Sequence, residues 1–178
     1  NMEALKSYGY EIMEPDTGFL AEGYEGKGRM PEPDKIVEAA QLVVLNNAKE
    51  LPLKGKKVLI TAGGTKERID PVRFITNDSS GKMGYSLAKA ARDLGAEVTL
   101  VTATNLLPIP FGVEPISVQS SKEMESAVLD KFHNIDIVIM VAAVSDYRPK
   151  TQASVKIKKT NEDLTLVLEK TTDILAEL

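Results

Sequence analysis

A stretch rich in glycine and polar side chains, residues 63–84, has the composition of an anion-binding loop. Glycines lie near both of its ends, with an asparagine, two serines and basic side chains between them. Glycine lets a backbone come close to a phosphate, and the amides and dipole at the start of a following helix favour negative charge. We therefore predict phosphate contacts from Gly63, Gly64, Ser80 and Gly81. A long surface loop with a glycine-containing helix cap is the alternative interpretation.

A second polar segment, residues 142–148, reads Ala-Ala-Val-Ser-Asp-Tyr-Arg and follows the apolar run 135–142. The small side chains of Ala142 and Ala143 would let a flat or bulky ligand lie against the backbone. The carboxylate of Asp146 can bind a magnesium ion or a sugar hydroxyl. A close-packed turn with a capped aspartate is the alternative, but a second polar loop is expected to converge on the first.

Lysines are concentrated in a third segment, Val-Lys-Ile-Lys-Lys at 155–159. Residues 155–159 and 164–168 alternate between apolar and polar side chains around a turn at 161–163, which predicts a β-hairpin. One interpretation is an arm that brings ammonium groups to a polyphosphate. Spacing alone favours the other interpretation, an edge strand protected by lysine.

The elements around these segments alternate between strands and helices, which indicates an α/β fold of the doubly wound, Rossmann-like class. We expect a parallel sheet with helices on both faces and a C-terminal β-hairpin arm. The predicted strands are 58–61, 97–102, 115–118 and 135–142, and the predicted helices are 85–94 and the segment from the Ser120–Glu123 capping box to Phe132. Ligands of such sheets bind outside the carboxyl ends of the strands, where both polar segments begin.

The first fifty residues follow a different pattern. They predict a helix at 2–7, a short strand at 10–13 and a helix at 34–46 that begins near Pro33. Four glycines between residues 18 and 28 predict a flexible loop or flap. Because 51–57 has the composition of a linker, we expect two domains, 1–50 and 51–178.

Composition excludes several classes of protein. The 178 residues carry a formal net charge of −4 and no cysteine, which argues against a general grip on nucleic acid, a disulfide framework and a thiol nucleophile. No apolar run approaches the roughly 20 residues of a membrane helix and no signal peptide is visible, so we expect no membrane contact and a cytoplasmic protein. His133, the one histidine, lies at a predicted helix end and is interpreted as structural.

Five ordered motifs resemble those of the phosphopantothenoylcysteine synthetase family, the phosphopantothenate–cysteine ligase half of bacterial bifunctional coenzyme A biosynthesis proteins. They are Ile60–Thr65, Ile69–Ile75, Asn77–Gly84, Ala142–Arg148 and Lys156–Lys159. The opening segment resembles the end of the flavin-dependent phosphopantothenoylcysteine decarboxylase half. There the matching residues are Asn1–Met2, Pro15–Gly18, Ala21–Gly23 and Gly26–Met30.

The resemblance implies that 4′-phosphopantothenate is joined to cysteine with CTP. In this family the substrate carboxylate attacks the α-phosphate to give an acyl-cytidylate and pyrophosphate, and the cysteine amine then displaces CMP. Lysines and Mg²⁺ screen the meeting anions, and a positioned neutral donor serves the oxyanion. CTP is thus the implied co-substrate, Mg²⁺ the implied metal, and FMN belongs only to the decarboxylase half. Relatives form homodimers, to which the predicted hairpin would contribute.

Residue roles transfer by position. Asn77 resembles the asparagine that contacts the substrate acyl group and turns over the acyl-cytidylate. Arg73 resembles a substrate-binding arginine that reaches across a dimer interface in relatives, and Lys156 resembles the mobile lysine that closes on the nucleotide. Positions that resemble CTP contacts are Met140, Val141, Ala142, Asp146, Thr172, Asp173, Ile174 and Leu175, although Thr171-Thr172 stands where the family has Asn-Pro. Ala142 and Ala143 are also expected at the substrate, and Asp146 is the candidate magnesium ligand.

The decarboxylase resemblance contains one departure. Many decarboxylases of this family carry Ala-Cys-Gly in a flap, where the cysteine donates a proton, and the match here is Ala21-Glu22-Gly23. Glu22 is therefore the candidate flap acid. The flavin-binding body is not in this sequence, so we expect no decarboxylation and expect the complete protein to extend beyond both ends.

Two other classes of function compete with the ligase. An NAD(P)-dependent Rossmann oxidoreductase would suit residues 61–65 after a strand, but the glycine after Gly64 is Gly81, so Gly-x-Gly-x-x-Gly is missing. Tyr85 and Lys89 have the spacing of a Tyr-x-x-x-Lys pair but lie on the first helix of the sheet domain. A non-catalytic nucleotide-binding or dimerisation module is the third possibility.

Overall fold

The computed structural model describes residues 1–47, 50–161 and 163–178. The chain divides into two compact units, Asn1–Leu51 and Pro52–Leu178. None of the helices in the described part of the chain is both long and apolar enough to span a bilayer.

In its described residues, the first unit contains two helices and one hairpin: α1 (Met2–Ser7), β1 (Asp16–Phe19), β2 (Glu25–Arg29) and α2 (Pro33–Asn46). The strand predicted at 10–13 is wrong, and the glycine-rich segment predicted as a loop forms the antiparallel β1–β2 pair. The side chains of Leu20 and Tyr24 pack against the glycines of β2, as the space there shows: a Cβ at Gly26 would lie 3.0 Å from Tyr24 Cε2. Glu22 is exposed in the hairpin turn.

The second unit has the predicted α/β architecture. Its elements in chain order are β3 (Lys57–Ala62), β4 (Lys66–Arg68), β5 (Phe74–Thr76), α3 (Lys82–Asp93), β6 (Glu97–Thr102), β7 (Glu114–Ser117), α4 (Ser121–Phe132), β8 (Ile137–Met140), β9 (Tyr147–Pro149), β10 (Leu168–Lys170) and a 3₁₀ turn (Ile174–Glu177). The central sheet is parallel, with strand order β7-β6-β3-β8. The order therefore reverses between β3 and β8, and doubly wound sheets bind ligands at such a switch point.

The two faces of the sheet carry two separate cores. Along β3, Val58, Ile60 and Ala62 pack on the α3 side, whereas Leu59 packs on the α4 side. This alternation explains the unbroken apolar run of β3, since a central parallel strand is buried on both faces. Gly84 lets α3 approach β3 closely: a Cβ there would lie 2.5 Å from the Ala62 Cβ and 2.9 Å from the Thr61 carbonyl oxygen.

Two small antiparallel pairs complete the second unit. The long loop predicted at 63–84 contains the β4–β5 pair, and β9 pairs with β10. The hairpin predicted from 155–159 and 164–168 is wrong, because residues 150–161 and 163–167 contain no strand and Leu168, the first residue of β10, pairs with β9 instead. Glu162, in the predicted turn, lies outside the described residues. Val155 and Leu164 are exposed, so their alternation gains no burial, and a lone two-stranded pair is marginal.

Candidate functional site

The loops that follow β3 and β8 join at the switch point. We call residues 63–81 the β3 loop and residues 141–146 the β8 loop. The Ala143 N–H donates to the Gly63 carbonyl (2.8 Å), and the Thr65 N–H donates to the Ala143 carbonyl (3.2 Å). The two polar segments singled out in the sequence therefore converge, as expected, through a short extension of the parallel ladder.

Two buried threonines fix the β8 loop to β3 and to the β3 loop. The Thr61 hydroxyl accepts hydrogen bonds from the backbone N–H groups of Val141 and Ala142, each at 3.1 Å. The Thr65 hydroxyl accepts from the Ser145 N–H (3.0 Å) and donates to the Ser145 hydroxyl (3.3 Å). Sequence reasoning missed both residues. For Thr61 the available signal was a threonine within an apolar strand, where a buried polar group needs a partner.

Asn77 lies at the end of the β4–β5 pair with its side chain against the β8 loop. Its Nδ2 donates to the carbonyls of Ala143 (3.2 Å) and Val144 (3.3 Å). Gly64 packs against the Asn77 backbone, because a Cβ at Gly64 would lie 2.6 Å from the Asn77 carbonyl oxygen. The glycine therefore lets the candidate catalytic amide sit at the switch point, where it remains exposed.

Helix α3 begins beside the same loops. Its N-cap, Gly81, has a φ of +75° and contributes no side chain to the first turn. The hydroxyl of Ser80, a predicted phosphate contact, accepts from the Lys82 N–H at 3.4 Å. A Cβ at Gly81 would lie 2.7 Å from Thr104 Cγ2, so this approach requires glycine.

A cavity of about 420 Å³ lies beyond the β8 loop and is closed on its other side by the residues after β10. We call it the Asp146 cavity. The predicted nucleotide contacts that line it are Met140, Ala142, Asp146, Thr172, Asp173, Ile174 and Leu175. Val141 and Ala143 are not among the lining residues; Val141 packs instead against the core on the α3 side. The Asp173 carboxylate caps the 3₁₀ turn by accepting from the N–H groups of Leu175 (3.1 Å) and Ala176 (3.3 Å).

Arg73 and Lys156 lie in a different cavity, about 750 Å³, with Lys158 and Lys159. The structure therefore divides the predicted site residues into two groups, one at the switch point and one at residues 155–159, which we call the lysine segment. The Ile157 backbone attaches this segment to the β3 loop: its N–H donates to Asp70 (3.1 Å), and its carbonyl accepts from Arg73 (2.9 Å). The lysine side chains remain exposed.

Asp70 is the buried anchor of this attachment. Its side chain is 0% exposed and accepts from the guanidinium of Arg73 and from the backbone N–H groups of Val72, Arg73 and Ile157. The hydrogen bond from Arg73 holds the pKa of the Asp70 carboxyl well below its usual range, and the three backbone donors act in the same direction against the effect of burial.

Metal binding was assigned to Asp146 alone. Within residues 1–47, 50–161 and 163–178, no three His, Cys, Asp or Glu side chains cluster as a metal site would require. An exposed single carboxylate is compatible with Mg²⁺ only where a polyphosphate supplies further ligands, which is the usual arrangement for this ion. His133 is exposed at the C-terminal end of α4, and its structural interpretation stays a prediction.

Residues 53–178 match the family described as the DNA/pantothenate metabolism flavoprotein C-terminal domain. The chain belongs to this family.

Curated relatives cover the whole chain. The chain is 50% identical over 179 residues to the coenzyme A biosynthesis bifunctional protein CoaBC of Bacillus subtilis (strain 168), covering 100% of this chain and 44% of that protein. It is 47% identical over 180 residues to a protein named cysteine/cysteine sulfinic acid decarboxylase, from an unknown prokaryotic organism, covering 100% of this chain and 50% of that protein. The chain thus spans about half the length of these relatives.

A solved structure agrees with the fold. The crystal structure of the C-terminal domain of a CoaBC protein matches with a TM-score of 0.63 and 47% identity over 72% of this chain and 60% of that one. Together these matches confirm the predicted relationship to bifunctional coenzyme A biosynthesis proteins. The assignment of residues 1–50 to a decarboxylase half, with Glu22 as its flap acid, stays a prediction.

Proposed function

We propose that this chain carries out the ligase step of coenzyme A biosynthesis, joining 4′-phosphopantothenate to cysteine with CTP through an acyl-cytidylate. The observation that supports this most is the junction of the β3 and β8 loops. It holds the Asn77 amide on the carbonyl of Val144, which lines a cavity together with several of the expected nucleotide-contacting residues. The relationship to CoaBC of Bacillus subtilis supports the same reaction.

CTP is assigned to the Asp146 cavity. Its volume of about 420 Å³ falls within the roughly 300–1,000 Å³ range of small-molecule sites. Met140 and Ala142 offer an apolar wall, and Asp146 offers a carboxylate. Asp146 would hold a magnesium ion shared with the phosphates, and the ion would supply positive charge that lets two anions meet.

4′-Phosphopantothenate is assigned to the β3 loop. The first turn of α3 after Gly81 offers backbone N–H groups and the positive end of the helix dipole to its phosphate. The Asn77 Nδ2 is within hydrogen-bond distance of two carbonyls of the β8 loop, so stabilisation of an oxyanion would exchange one of these bonds for one to the substrate. Because Val144, one of the two acceptors, lines the Asp146 cavity, the exchange would link the acyl group to the nucleotide site.

The lysine segment supplies the cationic part of the proposed site. Lys156 lies outside the lining of the Asp146 cavity, so closing on the nucleotide requires the segment to leave Asp70 and Arg73. The hydrogen bonds to be broken include those of Ile157 to Asp70 and Arg73, and the neighbouring Ala153 N–H is bound to the Ile69 carbonyl.

The experiment that tests the function combines binding with product analysis. We expect calorimetric titration to show binding of CTP with Mg²⁺ but not of ATP, GTP or NADH. Incubation with CTP, 4′-phosphopantothenate and cysteine should release pyrophosphate and CMP in equal amounts. In Asn77→Ala, pyrophosphate release should persist while CMP release slows, whereas Asn134→Ala, an exposed asparagine before β8, should behave as the parent. Binding of NADH without CTP would instead support the oxidoreductase.

A homodimer is also proposed for this chain. The segment before β10 exposes Leu164, Leu166 and Val167, with exposed fractions of 54%, 37% and 65%, and a partner subunit would cover them. Sedimentation equilibrium at micromolar concentration should give twice the chain mass. A monomer at these concentrations would contradict the homodimer without affecting the assignment of the nucleotide site.

A further inference from the structure

A series of hydrogen bonds between hydroxyl and backbone groups crosses the switch point from the end of β10 to the β3 loop. On the cavity side, the Thr171 hydroxyl donates to the Ser145 carbonyl at 2.6 Å, and the Thr171 N–H donates to the Asp146 carbonyl at 2.9 Å. Thr171 therefore fixes two consecutive carbonyls of the β8 loop. Because it also lines the Asp146 cavity, it couples the two walls of that cavity.

On the opposite side, Ser145 is bound to Thr65. Both residues are buried, with Thr65 0% and Ser145 5% exposed. The Thr65 hydroxyl accepts from the Ser145 N–H, and the Thr65 carbonyl accepts from the Thr76 hydroxyl at 2.7 Å. Thr76 immediately precedes Asn77, so this series of hydrogen bonds leads to the side-chain amide of Asn77, whose Nδ2 bonds to the β8 loop.

We propose that Thr65 and Thr171 are positioning residues, which through Ser145 hold the nucleotide cavity and the Asn77 amide in one fixed relationship. This inference rests on the proposed ligase function. It adds that the two half-reactions depend on hydroxyl groups that hold the β8 loop in place. Thr171 acts on nucleotide affinity, because it joins the cavity walls. Thr65 acts on turnover, because it sets where the Asn77 amide lies.

The chemistry of the hydroxyl accounts for the expected effects. Replacing Thr65 by valine keeps the shape of the side chain but removes the acceptor of the buried Ser145 N–H. A buried donor without a partner destabilises the structure by the full cost of its desolvation. The β8 loop must then shift toward another partner, and Asn77 must follow the carbonyls to which it is bound. Serine retains the hydroxyl at either position, so it should restore what valine removes.

The test uses four variants and one control: Thr65→Val, Thr65→Ser, Thr171→Val, Thr171→Ser and Thr99→Val. Thr99 is a buried threonine in the first half of β6, away from the carboxyl end of the strand, and its hydroxyl donates a hydrogen bond to Glu114. Its valine variant therefore controls for the loss of a buried hydroxyl outside the site. Each protein is titrated with CTP and Mg²⁺ and assayed for kcat and KM with 4′-phosphopantothenate and cysteine. The side-chain ¹⁵N amide resonance of Asn77 reports the position of the amide independently of activity.

We expect Thr65→Val to lower kcat about tenfold, with CTP affinity changed less than about twofold, and to displace the Asn77 resonance. Thr171→Val should weaken CTP binding about tenfold. Both serine variants should recover most of the loss, and Thr99→Val should match the parent protein.

Valine variants that match Thr99→Val in kcat, CTP affinity and the Asn77 resonance would overturn the proposal. If Thr65→Val does not fold, Thr171→Val decides the matter, because its side chain is only half-buried; unchanged CTP affinity then overturns the proposal. If the parent protein neither binds CTP nor forms product, the ligase function fails. The Asn77 resonance still tests the positioning, which is refuted if Thr65→Val leaves it in place.

Discussion

The Arg73 guanidinium donates two hydrogen bonds to the buried Asp70 carboxylate, from Nη2 at 2.5 Å and from Nε at 3.0 Å. The same carboxylate oxygen accepts from the Ile157 N–H. One buried aspartate therefore orients a predicted substrate-binding arginine and attaches the lysine segment. Its charge state should control both features.

Acid should reduce the stability that this anchor contributes. The Arg73 contact and the backbone donors depress the pKa of Asp70, so its contribution to stability is complete above the ordinary aspartate pKa of about 4 and is lost as the pH falls further. Urea unfolding at pH 7, 5, 4 and 3 should show the parent losing stability below pH 4 more steeply than Asp70→Asn. Glu14, Asp93, Glu114 and Asp136 also have depressed pKa values, but they are present in both proteins. Parallel stability curves would contradict the assignment.

Close contact between α3 and β3 should make Gly84 intolerant of any side chain. The methyl group of Gly84→Ala would meet the Ala62 Cβ at 2.5 Å and the Thr61 carbonyl at 2.9 Å, so the helix must move. Overpacking of this kind costs about 1–3 kcal/mol of unfolding free energy. Chemical denaturation should show this loss for Gly84→Ala and none for Ser86→Ala, an exposed position on the same helix. Equal stability of the two variants would show that α3 can shift freely.

The central sheet was predictable because its signals are local. Apolar runs marked β3, β6 and β8, and residues 97–102 were predicted with the bounds observed for β6. Helix α3 begins at Lys82, three residues before the predicted start, because Gly81 serves as the N-cap. The small β4–β5 pair was missed, since three-residue strands carry too little periodicity to be distinguished from a loop.

The site was predictable only in part, for a physical reason. Motif resemblance pointed to Asn77 and to most of the residues that line the Asp146 cavity. It could not supply the bonds of Thr65 to Ser145 or of Asp70 to Ile157, which join residues 80 and 87 positions apart. The contact of Thr65 with Ser145 depends on β3 and β8 being neighbours in the sheet, which the local pattern does not give. The wrong hairpin at 155–168 arose because an alternating pattern does not reveal whether a packing partner exists.

The start of α4 offers a direct test of a feature that sequence and structure share. The Ser120 hydroxyl accepts from the Glu123 N–H at 3.2 Å, and the Glu123 carboxylate accepts from the Gln119 N–H at 2.7 Å, one residue before the usual capping-box partner. Ser120→Ala should reduce the unfolding free energy by about 1 kcal/mol. Thermal or urea unfolding would measure this, with the exposed Ser126→Ala of the same helix as control. A loss of similar size in both variants would argue against capping.

The lysine segment should contribute to nucleotide affinity through one lysine more than through its neighbours. If Lys156 closes on CTP, Lys156→Ala removes a charge-assisted contact to phosphate and should weaken CTP binding about tenfold. Lys54→Ala, an exposed lysine before β3, should change affinity little, because exposed charges contribute little and are screened by salt. Titration with CTP at two salt concentrations separates a direct contact from general electrostatic attraction. Salt screens the general attraction between CTP and every exposed lysine, so only a direct contact leaves the CTP affinity of Lys156→Ala below that of the other lysine variants at high salt. Equal effects of Lys156→Ala, Lys158→Ala and Lys54→Ala would leave the lysine segment a solvated surface rather than part of the nucleotide site.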